Sequence, residues 1–275
     1  FHIFGVLLAN LITSSVIFLV TFPIIIKRSS IKLLSIKYWK KLMRFGLPFL
    51  PAGFFSMIIE LSDRYILRYY LDIKTVGLYN AGYKIGLLLL LVVVGFNMAW
   101  QPYFLGKGKG KKYIADVASK LLSFLGFLWI ILLLWSDTLI KIKFANLSFF
   151  GDEYWGAISI APIIGIAYIF HAAYLIQLPG VYHLEKTIWI PLVRGLGAII
   201  NIILNFIFIP QYGILGAAST TCLSYMLMAI IFYFINKKIF PISYNWYDLI
   251  IIIFSLMGIF ILHLKFSLDH FEKIL

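Results

Sequence analysis

Eight runs of mostly apolar residues follow one another along the 275-residue chain, each close to the length of a membrane-spanning helix. A helix needs about 20 apolar residues to cross the hydrocarbon core of a bilayer. The runs lie at residues 3–25, 46–70, 76–103, 114–135, 155–178, 188–209, 213–235 and 247–264. A soluble domain could not cover this much apolar surface, since 62% of the residues are hydrophobic and only 13% are charged. We therefore expect an all-α fold, a polytopic transmembrane helix bundle with about eight spans.

The formal net charge of +13 would suggest nucleic-acid binding in a soluble protein. In a membrane protein, an excess of Lys and Arg collects in cytoplasmic loops instead. Most of the basic loop residues follow the first, third, fifth and seventh runs, so these loops are predicted to be cytoplasmic. We expect no nucleic-acid partner.

Patterns that carry enzyme chemistry are missing from the sequence. There is no HExxH, no GxSxG and no cluster of metal-ligand residues. The single cysteine, Cys222, lies in an apolar run and offers neither a disulfide nor a cysteine metal site. We therefore expect no catalytic residues, no metal, no cofactor and no enzyme activity.

Ionisable residues stand inside two of the apolar runs, between Pro48 and Lys84, which a short polar turn at residues 72–75 joins. A charge at membrane depth costs about 2.5–3.5 kcal/mol even on insertion scales, so such residues are usually functional. At 100° per residue, one face of the first helix collects the polar and small side chains. These are Gly53, Ser56, Glu60, Asp63, Arg64 and Arg68.

The position of the turn predicts which residues of the two helices lie level. If the turn is centred near Lys74, Arg64 and Lys84 are each about ten residues from it and lie side by side. By the same count, Arg68 is level with Asn80.

Two cations side by side in a low dielectric repel each other unless negative charge lies close by. Glu60 and Asp63 could supply part of that charge, and an anionic ligand could supply the rest. The alternative is an internal ion-pair cluster that only orders the helix bundle, since Glu60 and Arg64 are four residues apart.

Three other features bear on the organisation of the chain. Residues 31–45 place apolar side chains on one helix face and basic ones on the other, which predicts a helix lying on the inner leaflet or, alternatively, a solvated linker. The pairs Asn97/Gln101 and Asn201/Asn205 are expected to form interhelical hydrogen bonds. His171, alone inside its span, could relay protons or donate to a neighbouring carbonyl.

Two stretches resemble the polysaccharide (oligosaccharide) flippase family of the multidrug/oligosaccharidyl-lipid/polysaccharide exporter superfamily. The first is GLPFLPAGFFSMIIELSDRYILRYYLDIKTVGLYNAGYKIG at residues 46–86, followed by FNMAWQPYF at 96–104. It is similar to the opening hairpin of the C-terminal half of that family. The second is LVRGLGAIINIILNFIFIPQYGILGAASTTCLSY at residues 192–225, similar to an Asn-rich helix, a short turn and a small-residue helix of the family.

The resemblance implies two six-helix lobes around a central cavity. It implies that residues 1–25 are the last helix of the N-terminal lobe, 26–45 a basic amphipathic cytoplasmic linker, 46–235 the C-terminal six-helix lobe, and 236–275 a loop and an additional transmembrane helix. The implied activity is to move undecaprenyl-diphosphate-linked oligosaccharide across the bacterial cytoplasmic membrane by alternating access, for O-antigen or capsule synthesis. Implied partners are this lipid-linked oligosaccharide, membrane lipids and other polysaccharide assembly proteins.

The resemblance also implies roles for the charged hairpin. The expected substrate contacts are Arg64, Lys84, Arg68 and Asn80, and the expected coupling or counter-ion groups are Glu60 and Asp63. Three cations and two carboxylates leave a net charge of +1, less than a diphosphate requires. Two alternatives remain open. A cation-coupled drug exporter of the same superfamily would need a cavity rich in carboxylates and aromatics, and a membrane glycan polymerase or ligase would need a large external loop.

Overall fold

The computed structural model describes residues 2–28, 35–106, 110–144, 147–148, 150–244, 255 and 258–259. Eight α-helices make up most of this part of the chain: α1 (His2–Arg28), α2 (Ile36–Gly46), α3 (Phe49–Tyr70), α4 (Ile73–Gly106), α5 (Lys111–Ile140), α6 (Ala161–Leu175), α7 (Pro179–His183) and α8 (Trp189–Ile239). A 3₁₀ helix, Asp152–Ile160, leads into α6. Two strands of two residues each, β1 (Lys143–Phe144) and β2 (Leu147–Ser148), pair in antiparallel fashion before it. The predicted all-α class is confirmed.

Six helical stretches in the described residues are long and apolar enough to cross a membrane, which confirms a multi-pass membrane protein. They are Phe4–Arg28, Ile36–Tyr70, Ile73–Gly106, Lys111–Ile140, Asp152–His183 and Trp189–Ile239. The number is smaller than the predicted eight for two reasons. The predicted spans 188–209 and 213–235 both fall within α8, and the predicted span 247–264 lies almost entirely outside the described residues.

Helix α8 doubles back on itself at Gly213. This glycine has φ 54° and ψ −128°, a backbone conformation with positive φ that residues other than glycine rarely adopt. The Thr220 hydroxyl donates to the Asn205 side-chain oxygen at 2.5 Å. In a continuous helix, residues 15 positions apart would be separated by about 22 Å. The two arms of α8 therefore correspond to the two spans that were predicted on either side of Gly213.

The described chain divides into two compact units, residues 1–47 and residues 48–275. The first unit holds α1 and α2, and neither helix buries its apolar side chains within the unit. On α2, which covers the predicted amphipathic segment from residue 36 onward, four cations share an arc of about 100°. These are Lys37, Lys40, Lys41 and Arg44. The apolar side chains Ile36, Tyr38, Trp39 and Leu42 are exposed on the rest of the surface.

The core of the second unit is built around α6 and α8. Helix α6 packs against α4, α5 and α8, and α3 packs against α8. Trp129 of α5 is fully buried against α6, where its Nε1 donates to the Pro162 carbonyl at 2.7 Å. Gly165 makes room for this ring, because a Cβ there would lie 2.8 Å from Trp129 Cδ1.

The turn between α3 and α4 is shorter than predicted. Only Leu71 and Asp72 separate the helices, because the Asp72 carboxylate accepts a hydrogen bond from the Thr75 backbone N–H at 2.7 Å and so caps the start of α4. Hydrogen bonds from Thr75 lower the pKa of this exposed carboxyl, since they favour its charged form. The stabilisation is therefore present at neutral pH and is lost as the pH falls through that lowered pKa.

Replacing Gly82 on α4 with alanine is expected to destabilise the second unit. A Cβ at this position would meet the Ala157 backbone oxygen and would lie 2.6 Å from Ile160 Cγ1. Backbone atoms cannot rotate away, so we expect a loss of about 1–3 kcal/mol, the usual cost of overpacking. Thermal unfolding of the purified protein in detergent measures this loss.

Gly53→Ala on α3 is the matched control, because nothing lies within 4 Å of its Cβ position. Equal melting temperatures for the two variants would contradict the close approach of α4 to residues 157–160.

Candidate functional site

The hydrogen bonds between α3 and α4 establish which residues lie level. Arg64 Nε donates to the Asn80 side-chain oxygen at 2.8 Å. The predicted register, which placed Arg64 beside Lys84 and Arg68 beside Asn80, is therefore wrong. The physical reason is the short turn: α4 begins at Ile73, so the residue of α4 beside Arg64 is Asn80, four positions before the predicted Lys84.

Asp63 is the buried acid of this site, with none of its side chain exposed. The Tyr79 hydroxyl donates to its Oδ2 at 2.5 Å. Its Oδ1 accepts from the Arg64 backbone N–H at 2.7 Å and forms an ion pair with Arg64 NH1 at 3.0 Å. A buried charge is tolerated only when it is paired and hydrogen-bonded, and Asp63 meets both conditions.

Glu60 lies one turn before Asp63 and is surrounded by tyrosines from three other segments. The Tyr83 hydroxyl donates to Glu60 Oε2 at 2.6 Å, and the Tyr225 hydroxyl donates to Oε1. The Tyr168 hydroxyl lies 3.3 Å from Oε2 and 2.9 Å from the Tyr83 hydroxyl, so its single proton can serve either acceptor. Tyrosine hydroxyls thus reach both oxygens of the Glu60 carboxylate.

Arg64 joins the Asp63 carboxylate to the backbone of Glu60 and remains partly open to its surroundings. Its NH1 donates to the Glu60 backbone carbonyl as well as to Asp63. The guanidinium carbon lies 4.4 Å from the centroid of the Tyr83 ring and 5.7 Å from that of Tyr79, which is cation–π geometry. The side chain is 22% exposed, and its second terminal nitrogen makes no hydrogen bond with any described residue. This one terminal nitrogen is thus available to a ligand.

We call this group of residues the carboxylate cluster; its members are Glu60, Asp63, Arg64, Tyr79, Asn80, Tyr83, Tyr168 and Tyr225. Arg68 and Lys84 do not belong to it, because both are exposed and neither forms a hydrogen bond or ion pair with a described residue. The cluster therefore holds two carboxylates and one guanidinium. Its net charge with both acids ionised is −1, whereas the sequence count that included Arg68 and Lys84 was +1.

Aromatic packing extends from the carboxylate cluster to a second arginine. The His171 ring stacks on Tyr225, with centroids 4.6 Å apart and planes inclined by 16°. The Tyr174 ring lies 6.3 Å beyond His171, and Arg194 Nε donates to the Tyr174 hydroxyl at 3.1 Å. His171 Nδ1 is buried and finds no hydrogen-bond partner among the described residues, so the predicted bond to a neighbouring carbonyl is not made by this atom.

The paired amides of the later spans form the expected interhelical bonds. Asn201 Oδ1 accepts from the Ser62 hydroxyl at 2.7 Å and from Asn205 Nδ2 at 3.0 Å, which joins α3 to the first arm of α8. Gln101 Nε2 donates to the Tyr182 hydroxyl at 3.1 Å and joins α4 to α7. The prediction is confirmed for Asn201, Asn205 and Gln101.

Sequence reasoning identified the ionisable members of the carboxylate cluster but not its tyrosines. Tyr79 and Tyr83 are four residues apart and share a face of α4, which is a weak signal that could have been used. Tyr168 and Tyr225 lie in apolar runs where an aromatic residue is indistinguishable from one that only packs. Within the described residues, no group of three or more His, Cys, Asp or Glu side chains could hold a metal ion.

The comparison with protein families agrees with the first of the two quoted stretches. Residues 2–106 match the model of a family described as polysaccharide biosynthesis protein. The match confirms the resemblance and includes both helices of the charged hairpin, α3 and α4, while the second stretch at 192–225 lies outside it. No curated protein and no solved structure gives a significant match to the chain.

Proposed function

We propose that the protein is a flippase that moves undecaprenyl-diphosphate-linked oligosaccharide across the bacterial cytoplasmic membrane by alternating access, for surface polysaccharide such as O-antigen or capsule. The match to a polysaccharide biosynthesis family and the multi-pass helical fold support this class of function. Other polysaccharide assembly proteins would supply and consume the substrate. The observation that carries the proposal is Arg64, a partly exposed cation within a membrane-spanning stretch, one of whose terminal nitrogens makes no hydrogen bond with a described residue.

Arg64 is suited to bind a diphosphate. Its second terminal nitrogen carries two N–H groups that can donate charge-assisted hydrogen bonds to phosphate oxygens, because Nε and NH1 already donate to protein acceptors. Asn80 and Asp63 hold Nε and NH1, so little side-chain entropy is lost when a ligand binds. We propose that Arg68 and Lys84, at exposed positions outside the carboxylate cluster, are further contacts for the anionic headgroup.

The two acids are proposed as coupling groups. A cluster with a net charge of −1 repels a diphosphate. The affinity of the cluster for the diphosphate therefore rises when a proton or another cation neutralises one carboxylate. Glu60 is the better candidate for this exchange, because it is only partly buried whereas Asp63 is fully buried. By linkage, the cation must then bind more tightly when the substrate is present.

One observation favours a second candidate, a cation-coupled drug exporter. Such a protein would present carboxylates among aromatic side chains with few cations, and Glu60 within its three tyrosines has this character. The family match favours the flippase, since it describes polysaccharide biosynthesis.

Complementation separates the two candidates. The protein is expressed in a bacterial strain from which the resident flippase has been deleted. It is expected to restore surface polysaccharide, which is measured by immunoblot of cell-surface glycan. The same cells are loaded with ethidium, and its efflux is followed by fluorescence. An empty vector is the control. Ethidium efflux without restored polysaccharide would contradict the flippase and support the drug exporter.

A further inference from the structure

A cavity of about 560 Å³ lies between the beginning of α5 and the segment that follows α8. Its volume is typical of sites for small ligands. The polar and charged residues that line it are Lys111, Lys112, Asp116, Ser119, Lys120 and Ser243. None of them takes part in the carboxylate cluster.

Helical periodicity brings the charged side chains together. Lys112, Asp116 and Lys120 are spaced by four residues, so they lie one above another on a single face of α5. The Lys111 ammonium lies 4.8 Å from the centroid of the Phe240 ring, in the segment that forms the opposite wall. The cavity is therefore an open cleft lined by two separate parts of the chain.

The cavity has an excess of positive charge. Three ammonium groups and one carboxylate give a net charge of +2. Among the described residues, no ion pair neutralises any of these three lysines. Like charges gathered in one cavity repel, and an anion between them removes that repulsion. Lysine binds phosphate well as a compact point charge, so a phosphate group with about two negative charges would balance the site.

The location agrees with such a ligand. Lys111 is the first residue of a membrane-spanning stretch, so the cavity lies near the boundary between membrane and water. The carboxylate cluster is far away, because Asn80 and the end of α4 at Gly106 are about 39 Å apart along the helix. We infer that this cavity is a second anion site, which binds a phosphate-bearing group, either an anionic lipid headgroup or a soluble phosphate compound. Basic pockets between membrane helices commonly bind lipid headgroups.

Binding to the purified protein in detergent tests this inference. The probes are dioctanoyl phosphatidic acid, dioctanoyl phosphatidylcholine and inorganic pyrophosphate, with bound fractions measured by native mass spectrometry. Wild-type protein is expected to bind at least one of the two anions and not phosphatidylcholine. The triple variant Lys111→Gln, Lys112→Gln, Lys120→Gln should bind about a hundredfold more weakly, because each lysine near a membrane surface contributes about fivefold in affinity for anions.

The control is the double variant Lys74→Gln, Lys141→Gln. It removes exposed charges at the opposite ends of α4 and α5, about 30 Å or more from the cavity along those helices, and its affinity for the anions should stay within about threefold of wild type. Binding of phosphatidic acid alone would assign a lipid headgroup, and equal binding of pyrophosphate would assign a soluble phosphate. Unchanged binding in the triple variant, or an equal loss in the control, would overturn the inference. The lysines are exposed, so both variants should fold, and their melting temperatures without ligand check this.

Discussion

Export of the lipid-linked oligosaccharide is expected to stop when Arg64 is replaced by glutamine. Glutamine can keep a hydrogen bond to Asn80 but has no charge for a diphosphate. In the complex, Arg64 and the diphosphate would form a desolvated charge pair. Removing one member of such a pair costs about 2–5 kcal/mol of binding free energy, which lowers the affinity more than tenfold. Surface polysaccharide in the flippase-null strain measures export, and immunoblotting of the membrane fraction measures abundance. Lys74→Gln, which removes an exposed cation at the start of α4, is the control.

A second variant separates substrate binding from structural support. If Arg64 only compensates the buried Asp63, its removal costs about 3–5 kcal/mol of stability and lowers abundance. Adding Asp63→Asn should then restore both abundance and export. If Arg64 contacts the substrate, the double variant should be abundant and inactive. Normal export by Arg64→Gln at wild-type abundance would remove Arg64 from the substrate site.

The other large effect is expected from Glu60→Gln, which should uncouple transport from the ion gradient. The change brings the net charge of the carboxylate cluster from −1 to zero without a bound cation. The amide retains one oxygen for the tyrosine hydroxyls, so the surrounding helices should stay in place. We expect tighter binding of the anionic substrate, and transport in proteoliposomes that no longer responds to an imposed proton or sodium gradient.

Glu153→Gln is the matched control for this experiment, because Glu153 is an exposed carboxylate in the 3₁₀ helix that leads into α6. It should leave the gradient dependence unchanged. Gradient-driven transport by Glu60→Gln at the wild-type rate would show that Glu60 is not the coupling group. Asp63→Asn, tested in the same way, then becomes the remaining candidate.

Local properties of the chain were readable from the sequence. Apolar runs predict membrane spans because each helix must make all its backbone hydrogen bonds internally within the bilayer, whatever the positions of the neighbouring helices. The charges of α3 are conspicuous in such a run, and the 3.6-residue period correctly placed Glu60, Asp63 and Arg64 on one face. Asn201 and Asn205 were recognised for the same reason, since unpaired amides in a membrane helix need partners.

The partners of those residues were decided only by the tertiary structure. One hydrogen bond at Asp72 shortened the turn and displaced the register, which brought Asn80 to Arg64 and left Lys84 outside. Tyr225 reaches Glu60 from a position 165 residues away. Periodicity describes a single helix, whereas the charge and donors of a site depend on how separate helices pack. The sign of the cluster's charge therefore followed from the fold and not from the count of charged residues.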